Sequence, residues 1–311
     1  MSNPLITVLM TVYNGGDYLP LTVKSVLSQT CKDFEFLIIE DKGTDGSLKL
    51  LQSLKDPRVR LVANPQNIGQ TKSLNLGLEL ARGEYIARMD ADDLALPDWL
   101  ESLLGVIVKD THQAVVSPRA RAIDSSGKFS RILNSPRTAE DILLKSLFAS
   151  PINHVGSLMR RSTILEFKGY DESFKIAADY DLWSRLLRGG YQLEAYPKAL
   201  VSVRFHEHSA TMLEIGNKVI PEMTRIMRAN ISHWKKLDLD ENSCILLWRL
   251  MFTPEALSQT QYQDGLNLLE RIYGQCRFLR QQKRIIFVKR ILGKLKKIKG
   301  NSFAKRSGHV K

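Results

Sequence analysis

The sequence predicts an α/β domain built on a mostly parallel sheet flanked by helices, followed by a helical C-terminal extension. Three observations predict it. Four apolar runs of strand length fall within the first 90 residues, and segments of helical period separate them. The first run, Leu5 to Val12, is almost continuously apolar, as in a strand buried on both faces. The connections are short and rich in Gly, Asn and Asp, so strand and helix alternate with right-handed crossovers.

In order along the chain, Tyr13-Asn14-Gly15-Gly16 breaks the first strand, and Leu19, Val23, Val26 and Leu27 mark the inner face of a helix from Tyr18 to Gln29. Phe34 to Ile39 is a second strand ending on Glu40-Asp41, and Gly43, Thr44 and Asp45 open a helix ahead of Leu48, Leu51 and Leu54. Val59 to Val62 is a third strand, and Thr71 to Ala81 a helix with Leu74, Leu78 and Ala81 inward. Tyr85 to Met89 is the fourth strand and runs into Asp90-Ala91-Asp92-Asp93. Further on, Trp99 to Val108 reads as an amphipathic helix and Ala114 to Ser117 as a strand. Residues 118–137 read as a polar loop or hairpin, and Glu140 to Phe148 as a helix. Val155 to Met159, preceded by His154, is strand-like; a helix starts at Asp179-Tyr180-Asp181 and stops at Gly189-Gly190; Tyr196 to Phe205 is a last apolar strand before His206. The expected division is a catalytic domain over 1–212 and a helical extension over 213–311.

Hydrophobic residues make up 43% and charged residues 25% of the 311, which fits a globular chain with a substantial core. Cys31, Cys244 and Cys276 show neither metal-ligand spacing nor a disulfide framework, which points to a reducing compartment. No run approaches the roughly 20 apolar residues needed to span a bilayer, and the N-terminus lacks the basic start of a signal peptide, so a cytoplasmic location is expected. The net charge of +12 is uneven. Residues 271–311 carry 14 of the 45 Lys and Arg and none of the 33 acidic residues, so the rest of the chain is slightly acidic.

The topology brings four loops at strand ends to one sheet edge: Thr11 to Asn14, Glu40 to Asp45, Asn67 to Lys72, and Asp90 to Asp93. On an extended segment Asp90 and Asp92 point the same way and Ala91 leaves room between them. Crowded carboxylates repel, and a hard divalent ion such as Mg²⁺ relieves this while leaving positions for substrate phosphates. The alternative is a solvated acidic turn before a helix. No G-x-G-x-x-G follows the first strand and no G-x-x-x-x-G-K-[ST] occurs, so phosphates have no glycine-rich cradle. Asp179 opens a helix, as an ordinary N-cap would, or as a carboxylate placed for proton transfer.

These blocks resemble the family-two inverting glycosyltransferases with the GT-A fold, of the bacterial polysaccharide or glycolipid type. The resemblance runs over roughly residues 5–210. It is carried by Thr11-Val12-Tyr13-Asn14, Gln29-Thr30, Glu40-Asp41, Gly43-Thr44-Asp45-Gly46-Ser47, Asn67-Ile68-Gly69, Gly83-Glu84-Tyr85-Ile86, Asp90-Ala91-Asp92-Asp93, and Gly169-Tyr170-Asp171-Glu172 leading to Asp179-Tyr180-Asp181-Leu182-Trp183. It implies a Rossmann-like sheet, a nucleotide-sugar donor (a UDP-sugar foremost), Mn²⁺ or Mg²⁺, and a glycan or lipid-linked acceptor in cell-surface polysaccharide synthesis. Thr11, Tyr13, Asn14, Lys72 and Ala91 would then lie around the donor, and Asp41 would accept from the pyrimidine ring NH. Asp90 would touch ribose or metal, Asp92 and His206 the metal, and Asp179 would be the catalytic base. Two departures stand out: Ala178 where the family has an acidic residue, and Glu40 and Lys42 where Asp and Gly are commoner. Inverting transfer needs one general base and one Lewis acid, and the sequence offers one isolated carboxylate and one acidic cluster.

A sugar-1-phosphate nucleotidyltransferase would share the layout but needs a glycine-rich basic loop after the first strand, where Tyr13-Asn14-Gly15-Gly16-Asp17 is acidic. Nucleic-acid binding through the basic tail is not expected, because the tail has few aromatics and the main domain is slightly acidic. Instead Ile285, Val288, Ile291, Leu292, Leu295 and Ile298 recur at helical spacing among Lys and Arg. That pattern is either an interfacial helix docking the protein on the cytoplasmic face of an anionic membrane, or an amphipathic helix packed on the domain.

Overall fold

The computed structural model describes residues 3–133, 135–207 and 219–274. The chain divides into two compact units, Met1–Ile142 with Ser150–Ile215, and Leu143–Ala149 with Gly216–Lys311.

The first unit is built around β1 (Ile6–Val12), of which every residue is buried. β2 (Phe34–Glu40) and β4 (Tyr85–Met89) lie on either side of it, both parallel, and β3 (Val59–Ala63) adds outside β2. The helices α1 (Leu19–Leu27), α2 (Ser47–Gln52) and α3 (Gln70–Leu80) make the crossovers. The chain builds outward from β1 through β2 to β3, then returns to place β4 on β1's other side. Strand order therefore reverses between β1 and β4, and beyond their carboxyl ends, at Tyr13 and Asp90, lies the position where open α/β sheets bind ligands. Gly83 allows β4 to enter this close: a Cβ there would come within 2.4 Å of the Thr7 nitrogen.

Beyond β4 the sheet becomes mixed. β8 (Leu158–Arg160) runs antiparallel to β4, and β6 (Gln113–Ile123) antiparallel to β8. β9 (Gln192–Arg204) is parallel to β6, and the two-residue β5 (Leu94–Ala95) antiparallel to β9. β7 (Phe129–Ile132) hangs on the outer half of β6 as a hairpin. Among the described residues this makes a nine-stranded sheet of order β3-β2-β1-β4-β8-β6-β9-β5, with β7 beside β6. β5 matters most for the site. It follows the acidic turn directly and pairs Leu94 with Ser202, bringing the end of β9 to Asp90–Asp93.

Differences from the sequence expectations are local. β6 continues past Ser117 to Ile123, because Ala120 and Ala122 are buried while Arg121 is exposed, the alternation of a half-covered strand. β7 is exposed along its length, which is why 118–137 reads as polar. The strand expected at Val155 begins only at Leu158, since Gly156 takes a positive φ of 78°. Helix α4 (Trp99–Ile107) buries Trp99 completely, and the indole Nε1 donates to the Gly156 carbonyl at 2.7 Å.

The second unit has helices Val219–Lys235, Glu241–Phe252 and Gln259–Gly274 together with residues 143–149. Ile226, Met227, Ile231, Leu247, Leu250, Leu269 and Ile272 are buried within it. Asn230 donates to the Ser146 carbonyl at 2.6 Å, and Asp240 caps the middle helix by accepting from the Ser243 nitrogen. No described helix is long and apolar enough to cross a membrane. The amphipathic stretch from Ile285 to Ile298 lies outside the described residues.

Candidate active site

Three loops gather at the carboxyl ends of β1 and β2. Thr11 is nearly buried near the end of β1, while Tyr13 is 56% exposed and offers a free aromatic ring just past it. Asn14, with φ 52°, turns its side chain toward the next loop and accepts from the Thr44 nitrogen at 2.7 Å. Gly15 and Gly16 donate to Ser47 Oγ and Asp45 Oδ2, so the loops after β1 and β2 are fastened together. Asp41 is 2% exposed and accepts from Asn64 Nδ2, the Ile68 nitrogen and the Gly69 nitrogen at 2.8–2.9 Å. Three of its roughly four lone-pair directions are thus filled by protein, two on Oδ1 and one on Oδ2. Glu40 accepts from the Gly43 nitrogen at 2.6 Å and holds the turn in which Lys42 takes φ 60°.

The acidic turn does not continue the strand. β4 ends at Met89 and Ala91-Asp92 form a turn, so the alternation expected for Asp90 and Asp92 does not apply. The three carboxylates diverge. Asp90, just past the end of β4, pairs with Arg88 Nη2 at 2.5 Å, and Gln70 at the start of α3 reaches it at 3.4 Å. Asp92 Oδ2 lies 2.9 Å from His206 Nε2. Asp93 turns inward, where it accepts from the Arg204 nitrogen at 2.8 Å. The buried Thr22 hydroxyl sits 2.9 and 2.8 Å from the Ala91 and Asp93 carbonyls and pins the turn from α1. Lys72, expected in this pocket, is exposed on the first turn of α3, and no ion pair engages it among the described residues.

Charge here is under-compensated. Burial, then repulsion from Asp92 and Asp90, push Asp93 well above the usual carboxylate range, against the pull of Arg204 and Arg88. Burial and Asp90 likewise raise Asp92, opposed by His206. Such a turn attracts a cation. Among the described residues no group of three His, Cys, Asp or Glu side chains could hold a metal alone. The donor set fits an ion that takes one or two carboxylates from the protein and completes its shell with phosphate oxygens and water.

Asp179, whose carboxylate also feels Arg88, lies in the first turn of α7 (Ala178–Arg188). Its Oδ2 accepts from Ser150 Oγ at 3.0 Å. Burial raises its pKa, and Ser150, the local main chain and Arg88 pull the other way. The Arg88 side chain is 1% exposed, with Nε and Nη1 unpartnered among the described residues. It is a buried charge felt by both acidic regions, and its field also acts on His154 and Tyr170. These two are joined at 2.7 Å, His154 Nε2 to Tyr170 Oη, and burial keeps His154 neutral. Asp181 is committed elsewhere: it pairs with Arg185, which also donates to the Phe167 and Gly169 carbonyls. Sequence reading passed over Arg88, Arg204, Thr22 and Gln70. Arg88 had a signal, being the one charge in the apolar strand Tyr85–Met89, and Arg204 a weaker one, since it closes an apolar strand two residues before His206.

The sequence has related proteins. It is 31% identical over 249 residues to a glycosyltransferase of Haemophilus influenzae, which is 76% of this chain and 76% of that one. Hyaluronan synthase of Pasteurella multocida is 30% identical over 279 residues, 86% of this chain and 27% of that protein. Among solved structures, residues 1–349 of S. aureus TarS in complex with UDP-GlcNAc align with a TM-score of 0.62 at 16% identity, across 89% of this chain and 82% of that one. The structural likeness extends to the fold, which is GT-A. Residues 7–167, over half of the chain, match the profile of glycosyl transferase family 2, and the chain belongs to that family of enzymes.

Proposed function

We propose that this glycosyltransferase moves a sugar, with inversion, from a UDP-sugar to a hydroxyl of a glycan or lipid-linked acceptor in cell-surface polysaccharide synthesis. The observation that carries the reading is the pairing of one partly buried carboxylate, Asp179, with a raised pKa, and one under-compensated acidic turn, both felt by buried Arg88. The polysaccharide assignment draws on the relative named hyaluronan synthase, and the UDP assignment on the nucleotide sugar bound by TarS.

Asp92, with Asp90 and His206 beside it, would hold Mn²⁺ or Mg²⁺, whose charge stabilises a departing diphosphate. Tyr13, Thr11 and the free lone pair of Asp41 receive the nucleoside, with Asn14 holding the loop between them. Asp179 takes the proton from the acceptor hydroxyl. The acceptor oxygen bonds to the anomeric carbon as the bond from that carbon to the diphosphate oxygen breaks on the opposite face. A second, nucleophilic carboxylate has no role in a single displacement. Screening UDP-, GDP- and dTDP-sugars for hydrolysis, with Mn²⁺ and with EDTA, tests the donor and the metal together. The expected result is turnover of a UDP-sugar that EDTA abolishes; full activity in chelator overturns the metal role.

A further inference from the structure

We infer that Arg204 is a positioning residue for the diphosphate end of the site, fixing the main chain that carries Asp92 against the turn between β6 and β7. The inference rests on the proposed function above. Arg204 is the last residue of β9 and 4% exposed. Its Nε donates to the Asp92 carbonyl at 3.0 Å, and its Nη1 to the Asp124 and Ser125 carbonyls at 3.1 Å each. Its main-chain nitrogen donates to Asp93 Oδ1 at 2.8 Å. The face of the guanidinium lies 4.3 Å over the Tyr18 ring, which in turn lies 5.2 Å from the His206 ring.

One side chain thus joins the acidic turn, the β6–β7 turn, the segment before α1, and the strand that ends two residues before His206. Only a planar fork can do this. A lysine ammonium brings a point charge with no fixed directions, so it cannot serve both carbonyl groups and the ring at once. The β6–β7 turn presents its carbonyls because the exposed Asp124 gathers the Ser126 nitrogen, Ser126 Oγ and the Lys128 nitrogen at 2.7–3.0 Å. Asp124 is therefore a second handle on Asp92, lying on the surface and away from the reacting groups.

The test is calorimetric titration of UDP into the full chain, with Mn²⁺ and with EDTA. Outer-shell partners of metal ligands are worth about 10–100-fold in affinity. Arg204→Lys should therefore weaken Mn²⁺-dependent UDP binding by about that factor and leave binding in EDTA unchanged. Asp124→Ala should weaken the same quantity by a smaller factor at unchanged melting temperature, and decides the matter if Arg204→Lys does not fold. In steady-state assays both should raise donor KM more than they lower kcat. Wild-type Mn²⁺-UDP affinity in a folded Arg204→Lys, or an equal loss with and without metal, overturns the inference. If Mn²⁺ does not strengthen UDP binding by the wild-type protein, the metal reading itself falls, and this inference with it.

Discussion

Asp179 carries opposite consequences for rate and for stability. General-base catalysis is worth roughly 10²–10⁴-fold, so Asp179→Asn should lower kcat by about that factor with donor binding intact. Ser150 can still donate to the amide oxygen, so the local shape survives. Burial raises the Asp179 pKa, so the native state holds its proton at pH values where the unfolded chain has released it. Stability contributed there is present at low pH and declines as pH rises from the ordinary aspartate value through the raised one. At neutral pH Asp179→Asn should therefore melt no lower than the parent, and the acid limb of kcat/KM in the parent should lie above the usual carboxylate range. An Asn variant that turns over normally would remove Asp179 from the mechanism. Asp181 would not replace it, being paired with Arg185. Lys42 is a simpler case. Its φ of 60° is a conformation that costs an L residue about 1–2 kcal/mol and that glycine adopts freely. Lys42→Gly should raise the urea midpoint of the ligand-free protein, and an unchanged or lower midpoint would mean that relief of the positive φ is cancelled by the added freedom of glycine in the unfolded chain.

At the scale of elements, β5 and α4 connect the acidic turn to the core. β5 is two residues long and derives its placement from β9, while Trp99 at the start of α4 fills the core directly behind it. Trp99→Ala should cost about 3–5 kcal/mol through lost burial and the cavity. Trp99→Phe should cost less, mainly about 1–3 kcal/mol for the Gly156 carbonyl left without its indole donor. Chemical denaturation ranks the two. Equal losses would mean that the missing hydrogen bond, and not the cavity, accounts for the cost; a Phe variant as stable as the parent would mean that the hydrogen bond contributes nothing beyond packing. The elements themselves were largely legible: β1, β2, β4, α1, α3, α4 and α7 fall within a few residues of where periodicity puts them. β5 was not, because two residues carry no period, and β6 was cut short because its second half is covered on one face only.

For the whole molecule the open matter is where it works. The tail carries 14 basic residues and no acidic ones after Glu270, and each cation near an anionic surface contributes roughly 1 kcal/mol. We propose that residues 283–311 hold the protein on the cytoplasmic face of such a membrane, next to a lipid-linked acceptor. Truncation after 282 should release the protein from vesicles containing anionic lipid while leaving metal-dependent donor hydrolysis intact. A full-length chain that ignores those vesicles at low salt, or a truncated one that unfolds, would assign the tail to the packing of the chain instead.

The sequence by itself determined the parallel half of the sheet, the edge on which the loops converge, and the family. Each is written in local patterns: continuous apolar runs for doubly covered strands, 3.6-residue periods for crossover helices, and short polar blocks in a fixed order. Only the tertiary structure decided what the carboxylates face. Asp90 meets Arg88 two residues away, but Asp92 meets His206 across 114 positions and Asp93 meets the Arg204 nitrogen across 111. Alternation along a strand tells which face a side chain takes. It cannot tell which distant segment covers that face, since the pairing of β5 with β9 is settled by burial of the whole sheet.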